Sequence, residues 1–278
     1  MAVAPTTVTA IVREANQAEV QMRTNISVWR QGDFVKHYAS RVLRPAEVMV
    51  LIHYRELFSG RVLELGCGAG RLTGYLIELG QHVYGIDVSP TMIAYCREAY
   101  PAGDFSVMDL RDLSGFEKES LDVVVATNNV LDVLDDSERR RVLREITRVL
   151  KPEGLLTMSA HNRAFLPNLK LPTNLRARNL VRMAGKLVLM PSRMRNRRHL
   201  LRFQRFERDY AVVNDDAHHF KLLHYYISRE DQERQLREEG FEFLECRNSE
   251  GGEVAVGDSA ANCAELHYVA RRPPAHPA

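Results

Sequence analysis

Three closely spaced glycines and two aspartates follow three successive predicted strands. Gly66, Gly68 and Gly70 come directly after the apolar strand RVLEL, where glycine lets the backbone turn tightly and approach a ligand. Asp87 ends the next strand, and a carboxylate there can accept hydrogen bonds from both hydroxyls of a ribose. Asp109 ends the third strand, where it can accept a hydrogen bond from an adenine amino group. The set predicts a site for a ligand that contains a nucleoside.

The spacing of the glycines disfavours NAD and FAD. A GxGxxG fingerprint would have its third glycine at position 71, where this chain has Arg71. Two apolar side chains close to the aspartates, Met92 and Leu110, are predicted to pack against the adenine ring.

Strands and helices alternate around these residues. The predicted strands are RVLEL, HVYGID, FSVMD, LDVVVAT and LLTMSA, and Ser89 and Ser137 are the predicted caps of two intervening helices. This alternation is typical of βαβ units in a parallel sheet, which collects ligands at the carboxyl ends of its strands. Ser228 begins a further helix, which is followed by the strands FEFLEC and ELHYVARR.

The motifs ELGCGAG at 64–70, Asp87, Asp109, VVVAT and KPEG together resemble those of class I S-adenosylmethionine-dependent methyltransferases. The resemblance covers about residues 60–160 and 228–271. It implies an α/β fold with a Rossmann-like, doubly wound sheet of seven strands, mainly parallel with an antiparallel last hairpin. It also implies S-adenosylmethionine as the methyl donor and S-adenosylhomocysteine as the product. A scaffold of the same fold that has lost its activity is the non-catalytic alternative.

The same resemblance suggests roles for individual residues. Gly66, Cys67 and Gly68 would lie against the methionine part of the donor, Asp87 would hold the ribose, and Asp109 with Leu110 would frame the adenine. On the N-terminal helices, the Arg44 guanidinium or the Tyr38 hydroxyl would reach the methionine carboxylate. The predicted cofactor-binding set also contains Glu64, Gly70, Val88, Met92 and Asn128.

Four parts of the chain are distinguished by these patterns. Residues 1–59 are predicted to form a helical lid, and residues 60–160 with 228–271 the cofactor-binding core. The alternation lapses over 161–227, which is predicted to be an inserted cap over the acceptor pocket, separate from the main sheet. Residues 272–278 are predicted to be a disordered tail.

The candidate catalytic residues are His219, His161, His224 and Asn129. A hydroxyl or ammonium group loses a proton when it is methylated, and histidine is suited to take that proton. Each of these side chains also fits a purely structural role. Relatives that methylate adenine or glutamine amides have an Asn/Asp-Pro-Pro-aromatic motif where this chain has Asn-Asn-Val-Leu, so a nucleobase amino acceptor is disfavoured. Many small-molecule members have a histidine where this chain has Val133.

Composition narrows the range of partners. The 38 basic and 36 acidic side chains give a net charge of +2, which disfavours nucleic acid. Four widely spaced cysteines without a CxxC motif predict neither a metal site nor a disulfide framework, and they favour a reducing cytoplasm. The 32 arginines against 6 lysines indicate a GC-rich bacterial genome. The sequence has no secretory signal pattern and no apolar run of membrane-spanning length.

Residues 176–208 are rich in arginine and lysine and contain a single acidic residue, Glu207. This basic stretch is either the solvated face of a cap helix or a surface for an anionic or amphipathic partner. Two kinds of acceptor therefore stay open. One is a small molecule such as a secondary metabolite or a sugar, methylated on O or N. The other is a lipid-like, carrier-bound or macromolecular acceptor, with peripheral membrane contact.

Overall fold

A computed structural model describes residues 5–30, 35–40, 42–165 and 180–274. Within these ranges the helices are α1 Pro5–Arg30, α2 Val35–Tyr38, α3 Pro45–His53, α4 Arg55–Phe58, α5 Thr73–Leu79, α6 Pro90–Ala99, α7 Asp136–Val149, α8 Leu180–Leu200 and α9 Arg229–Glu238. The strands are β1 Arg61–Leu65, β2 His82–Asp87, β3 Asp104–Val107, β4 Leu121–Ala126, β5 Leu150–Asn162, β6 Arg205–Phe206, β7 Tyr210–Val213, β8 His224–Ile227, β9 Glu242–Asn248 and β10 Glu265–Arg271.

Seven of these strands form the predicted core sheet. Strands β3, β2, β1, β4 and β5 lie side by side in that order and are parallel. Strand β10 runs antiparallel to β5 and pairs with β9. The apolar strand β4 is central, and Val123, Val124 and Val125 are fully buried because helices cover both faces of the sheet. The predicted α/β class and its Rossmann-like order are confirmed.

Local capping determines where the helices begin. The hydroxyls of Ser89 and Ser228 accept backbone N–H groups at the starts of α6 and α9, as predicted. Helix α7 differs, because Asp135 and not Ser137 is its cap. The Asp135 carboxylate accepts the N–H of Glu138 at 3.0 Å, and the Ser137 hydroxyl donates to the same carboxylate at 2.7 Å.

The second half of the insertion extends the main sheet, so the prediction of a separate cap is wrong for this part. Strand β8 pairs in parallel with the end of β5, with His161 opposite Tyr226, and β7 and β6 continue the sheet beyond it. Strand β10 already pairs with His161 along one edge of β5. Strand β8 must therefore lie along the other edge, beyond the end of β4. The first part of the insertion, 166–179, lies outside the described residues, as does 275–278 of the predicted tail.

Helix α1 is fixed across the carboxyl ends of the strands by two buried amides. The Asn25 side chain donates to the carbonyls of Val133 and Leu223, both at 2.8 Å, and accepts the Leu223 N–H at 3.1 Å. Gln21 donates to the carbonyl of Leu134 at 2.9 Å. These bonds connect the N-terminal helix to the turn after β4 and to the loop before β8. Among the helices in the described ranges, none is both long and apolar enough to cross a bilayer.

Candidate active site

A cavity of about 260 Å³ lies between α1 and the carboxyl ends of the strands. Its wall is largely apolar, with side chains such as Met22, Ile26, Val133 and Leu134. Twelve of the predicted site residues line it: Tyr38, Gly66, Gly68, Asp87, Val88, Met92, Asp109, Leu110, Asn128, Asn129, His161 and His224.

Five predicted site residues do not line the cavity: Arg44, Glu64, Cys67, Gly70 and His219. Cys67 and Gly70 belong to the glycine turn itself, Glu64 lies on β1 before it, and Arg44 and His219 are described below. The Cys67 side chain packs in an apolar cluster with Ile93, Cys96 and Phe105, so it is the backbone at this position that can face a ligand. Burial and the neighbouring Cys96 thiol raise the pKa of Cys67, which therefore stays a neutral thiol.

The glycine turn requires glycine at two positions for reasons of space. Gly66, Gly68 and Gly70 all have positive φ angles, of 61°, 55° and 77°. A Cβ atom at Gly66 would lie 2.2 Å from the Val130 side chain, and one at Gly70 would lie 2.3 Å from the Tyr100 ring. At Gly68 no atom lies within 4 Å of that position. The turn is thus packed on its outer sides and open at Gly68, where a ligand can approach the backbone.

Asp87 is held in place at the end of β2. Its carboxylate accepts the backbone N–H of Gly68 at 3.0 Å and that of Ser89 at 2.8 Å. Burial raises the pKa of Asp87, while these backbone donors act in the opposite direction. The carboxylate therefore joins the glycine turn to the helix start and faces the cavity with unused acceptor capacity.

Asp109 lies at the end of the cavity beyond Asp87. Arg111 binds its carboxylate through two side-chain hydrogen bonds of 3.0 and 2.7 Å. Burial raises the pKa of Asp109, but the bonds from Arg111 outweigh this effect and lower it overall. An adenine amino group would therefore share this carboxylate with Arg111. Leu110, Met108 and Met92 form the apolar wall beside it.

Arg44 connects the N-terminal helices to the middle of the site. Its guanidinium forms an ion pair with Glu265 and donates to the Asn128 side chain at 3.1 Å. Asn128 and Asn129 both have left-handed backbone angles, with φ of 57° and 58°, which asparagine tolerates better than most residues. Arg44 thus lies behind Asn128, within reach of a ligand carboxylate only if its present bonds rearrange.

Glu64 is buried behind the glycine turn, where the Thr73 hydroxyl donates to its carboxylate at 2.5 Å. Burial raises the pKa of Glu64 from 4.5 to about 7. Because the pKa of Glu64 is higher in the folded than in the unfolded state, its contribution to the free energy of unfolding is fully present below the unfolded pKa. This contribution is lost as pH rises from 4.5 to about 7.

We compare the free energy of unfolding of Glu64→Gln with that of the parent at each pH. Between pH 4.5 and pH 8, this difference is expected to shift in favour of the variant by about 3 kcal/mol. Glutamine keeps an acceptor for Thr73 and carries no charge. Urea unfolding at pH 4.5, 6 and 8 measures this difference. The control is Glu78→Gln, an exposed change on α5. Parallel stability curves for Glu64→Gln and the parent would contradict the expectation.

His161, at the end of β5, belongs to a buried network that the sequence did not reveal. The carboxylate of Asp132 accepts both the backbone N–H and Nδ1 of His161, each at 2.7 Å. The other oxygen of Asp132 accepts from Arg139 at 2.7 Å, and both of these side chains are fully buried. Arg139 also donates to Gln232 and Gln235. A carboxylate oxygen accepts, so Nδ1 of His161 is the donor in this bond and Nε2 is the acceptor in the neutral ring.

Asn129 supports the same assignment from the other side of the ring. Its side-chain nitrogen lies 3.3 Å from Nε2 of His161 and 3.2 Å from Glu265, while its side-chain oxygen accepts from the Ser159 hydroxyl at 2.9 Å. The amide is therefore oriented with its donor toward Nε2. Asn129 positions His161 and has no proton-accepting role in this arrangement.

His224, at the start of β8, lies directly against His161. The two rings are nearly parallel, with centroids 4.9 Å apart. Nδ1 of His224 lies 2.7 Å from the Asp215 carboxylate, which also accepts the Tyr226 hydroxyl at 2.8 Å. Two histidine–aspartate pairs, His161 with Asp132 and His224 with Asp215, thus stand side by side at one end of the cavity.

His219 is the catalytic candidate that does not line the cavity. It points toward α8, where its Nδ1 lies 3.4 Å from Arg193 and its carbonyl accepts from Asn196 at 3.0 Å. Burial and nearby positive charge lower the pKa of His219. The neighbouring residue His218 lines the cavity instead, because three consecutive residues, 218–220, adopt left-handed backbone angles and reverse the direction of the side chains.

Part of the basic stretch is used inside the protein. Arg193 and Arg197 lie over the Phe220 ring at 5.2 and 4.9 Å, so helix α8 holds the strained turn 217–220 against the cavity. Arg195 and Arg198 stay exposed. The part of the stretch before residue 180 lies outside the described residues.

Metal binding is one possible use of the histidine pair. Potential ligand atoms of His161, Asp215 and His224 lie within 4.8 Å of one another. The two histidine rings, however, are stacked with an angle of only 23° between their planes. The lone pairs of their nitrogens lie in these planes and therefore do not point toward a common centre. A tetrahedral or octahedral ion needs ligands that converge on one point. The geometry therefore favours a hydrogen-bonded network.

Sequence comparison gives matches to one part of the chain. Residues 62–154 match the family model described as a methyltransferase domain. A putative methyltransferase of Bacillus subtilis is 30% identical over 106 residues, which are 37% of this chain and 43% of that protein. A ubiquinone biosynthesis O-methyltransferase of Xanthomonas oryzae is 30% identical over 125 residues, which are 44% of this chain and 51% of that protein. The chain thus spans about half the length of these curated relatives.

Solved structures extend the likeness to most of the chain. The 1,6-didemethyltoxoflavin-N1-methyltransferase of Burkholderia thailandensis, solved with 1,6-didemethyltoxoflavin and S-adenosylhomocysteine, has a TM-score of 0.55 and 17% identity. This match covers 98% of this chain and 92% of that one. An S-adenosylmethionine-dependent methyltransferase of Mesorhizobium loti has a TM-score of 0.56 and 19% identity, covering 82% and 98% of the two chains. At this identity the likeness is one of fold.

Proposed function

We propose that this chain, which belongs by fold to the class I S-adenosylmethionine-dependent methyltransferases, methylates an O or N atom of a small-molecule acceptor. The observation that carries the proposal is a single cavity with nucleoside-type acceptors, Asp87 and Asp109, at one end and His161 at the other. S-adenosylmethionine supplies a methyl group already activated on a sulfonium. The protein therefore has to align the two substrates, exclude water and accept a proton.

The residues at the strand ends fit the donor. The open position at Gly68 leaves room for a ligand beside the backbone, and Asp87 offers acceptor capacity to ribose hydroxyls. Met92, Met108 and Leu110 provide an apolar wall for an adenine ring next to Asp109. These contacts would hold the donor over β1, β2 and β3, with the cavity free toward β4, β5 and β8.

His161 is the base in this proposal. Asp132 accepts a hydrogen bond from Nδ1 of His161, which leaves Nε2 as the acceptor nitrogen of the ring; the Asn129 amide contacts Nε2 at 3.3 Å and would give way to the acceptor's proton. A hydroxyl beside Nε2 can transfer its proton there as its oxygen attacks the methyl group, whereas an ammonium group first gives its proton to Nε2 and then attacks as the neutral amine. In both cases the bond from the methyl carbon to sulfur breaks, and S-adenosylhomocysteine leaves. Asp132 and Arg139 act through His161, because they fix its tautomer and its ring orientation.

A lipid-like, carrier-bound or macromolecular acceptor is the second candidate. It depends on the basic stretch as a docking surface, and two of the arginines in that stretch, Arg193 and Arg197, are already packed on Phe220. This internal use supports the small-molecule acceptor.

Cofactor binding tests the proposal. We expect Asp87→Ala to weaken S-adenosylhomocysteine by about 10- to 150-fold, because the ribose hydroxyls lose a charged acceptor. Isothermal titration calorimetry measures the affinity. Asp112→Ala, which removes an exposed carboxylate near the same edge of the sheet, is the matched control and should bind like the parent.

Two outcomes distinguish the alternatives. A parent protein that does not bind S-adenosylhomocysteine would overturn the proposed function. Binding by the parent together with equal affinity in Asp87→Ala would remove Asp87 from the site. A non-catalytic scaffold would bind the ligand normally and yet produce no S-adenosylhomocysteine from the donor in the presence of any tested acceptor.

A further inference from the structure

His224 is a nearly buried imidazole whose outer nitrogen has no protein partner in the described part of the chain. The residue is 6% exposed and lines the cavity. Its only hydrogen bond joins Nδ1 to Asp215, which leaves Nε2 available. The proposed function uses His161 and gives His224 no role.

The surroundings of His224 favour the positively charged form of its ring. Burial opposes the charged ring, but the adjacent Asp215 carboxylate outweighs it and raises the pKa of His224. The same contact, with the Tyr226 hydroxyl, lowers the pKa of Asp215 to about 2. The other nearby carboxylate, Asp132, forms an ion pair with Arg139. The ion pair with Asp215 therefore favours an imidazolium at His224, and this ring borders the cavity beside His161.

The position of this cation separates it from the donor. Asp87 and Asp109 lie at the ends of β2 and beside β3, whereas His224 lies on β8, beyond β4 and β5. The nearby wall is apolar, with Met22, Ile26 and Leu134 among its side chains. One cation in an apolar pocket selects a compact hydrophobic molecule that carries one negative charge.

We propose that Nε2 of His224 binds a negatively charged oxygen of the acceptor, and that the acceptor is a small, largely apolar organic acid. This inference rests on the proposed function and deepens it. The carboxylate, or an equally acidic hydroxyl, would contact His224 while the atom to be methylated lies beside His161. Because the centroids of the two rings are only 4.9 Å apart, one small molecule can reach both histidines.

The chain contains its own probe for this pocket. Trp29 is the single tryptophan of the sequence, and it lines the cavity. We expect benzoate to change the Trp29 fluorescence saturably in the presence of S-adenosylhomocysteine. Benzamide, the neutral molecule of the same shape, should bind at least about tenfold more weakly, because it lacks the charge. This comparison needs no variant and so does not depend on the folding of a mutant.

Variants then identify the residue. His224→Gln should lose the preference for benzoate over benzamide and retain the affinity of the parent for S-adenosylhomocysteine. Asp215→Asn keeps the ring and removes its counter-charge, so the preference should fall in this variant as well. His161→Gln should keep the preference. Melting curves confirm that each variant is folded.

Three results would overturn the inference. Equal affinities of the parent for benzoate and benzamide would exclude an anion site. Loss of the preference in His161→Gln but not in His224→Gln would show that His161, and not His224, binds the anion. Benzoate binding that requires added Zn²⁺ and disappears with EDTA would show a metal site. If S-adenosylhomocysteine binds normally in these experiments, the proposed function stands even when the anion site is disproved. Failure of the anion site can therefore be distinguished from failure of the proposed function.

Discussion

Replacing His161 by Gln is expected to lower kcat by about 10²- to 10⁴-fold, because the acceptor then loses the group that takes its proton. The side chain lines the cavity, and the bond from Nδ1 to Asp132 leaves Nε2, which the Asn129 amide contacts at 3.3 Å, as the acceptor nitrogen. S-adenosylhomocysteine affinity should stay at the parent value, since the donor contacts are on other strands. Steady-state kinetics with an identified acceptor and calorimetry give the two numbers.

Asp132→Asn provides a sharper control for the same role. An amide can donate to Nδ1 of His161, which would place the proton on Nε2 and present a donor to the acceptor. The ring would then have the wrong tautomer, and the amide nitrogen would also face the backbone N–H of His161, which the same carboxylate oxygen accepts in the parent. We expect a similar loss of kcat, with ¹⁵N NMR of the imidazole showing the tautomer change. Activity of His161→Gln equal to that of the parent would show that the acceptor needs no base.

Arg139→Met is expected to lower the free energy of unfolding by about 3–5 kcal/mol, because it leaves the buried Asp132 carboxylate without its partner. Arg139 and Asp132 are both fully buried, and Arg139 also satisfies Gln232 and Gln235. Urea unfolding followed by circular dichroism measures the loss. Combining Arg139→Met with Asp132→Asn should recover part of it, since the orphaned charge is then removed.

The matched control is Arg144→Met on the same helix. Arg144 pairs with Glu239 at 2.7 Å, but its side chain is 58% exposed. We expect this change to cost about 1 kcal/mol or less. Equal effects of the two substitutions would mean that the buried pair has no special weight in stability.

The donor end of the site follows from the sequence by itself. The glycine turn, Asp87 and Asp109 each occupy the end of a strand that local patterns identify, and parallel strands bring their carboxyl ends to one edge. Such signals are local: positive φ angles favour glycine, and runs of apolar residues favour buried strands. The seven core strands were predictable for the same reason.

The acceptor end was decided by tertiary structure. Strands β6, β7 and β8 contain only two to four residues each, too few for a clear alternation of apolar and polar positions. Only the pairing of β8 with the end of β5 brings His224 against His161. The partners Asp132, Arg139 and Asp215 had no motif, because their roles come from burial and from contacts between distant segments. The sequence therefore predicted the residues proposed to hold the donor, whereas long-range packing decided which histidines line the other end of the cavity.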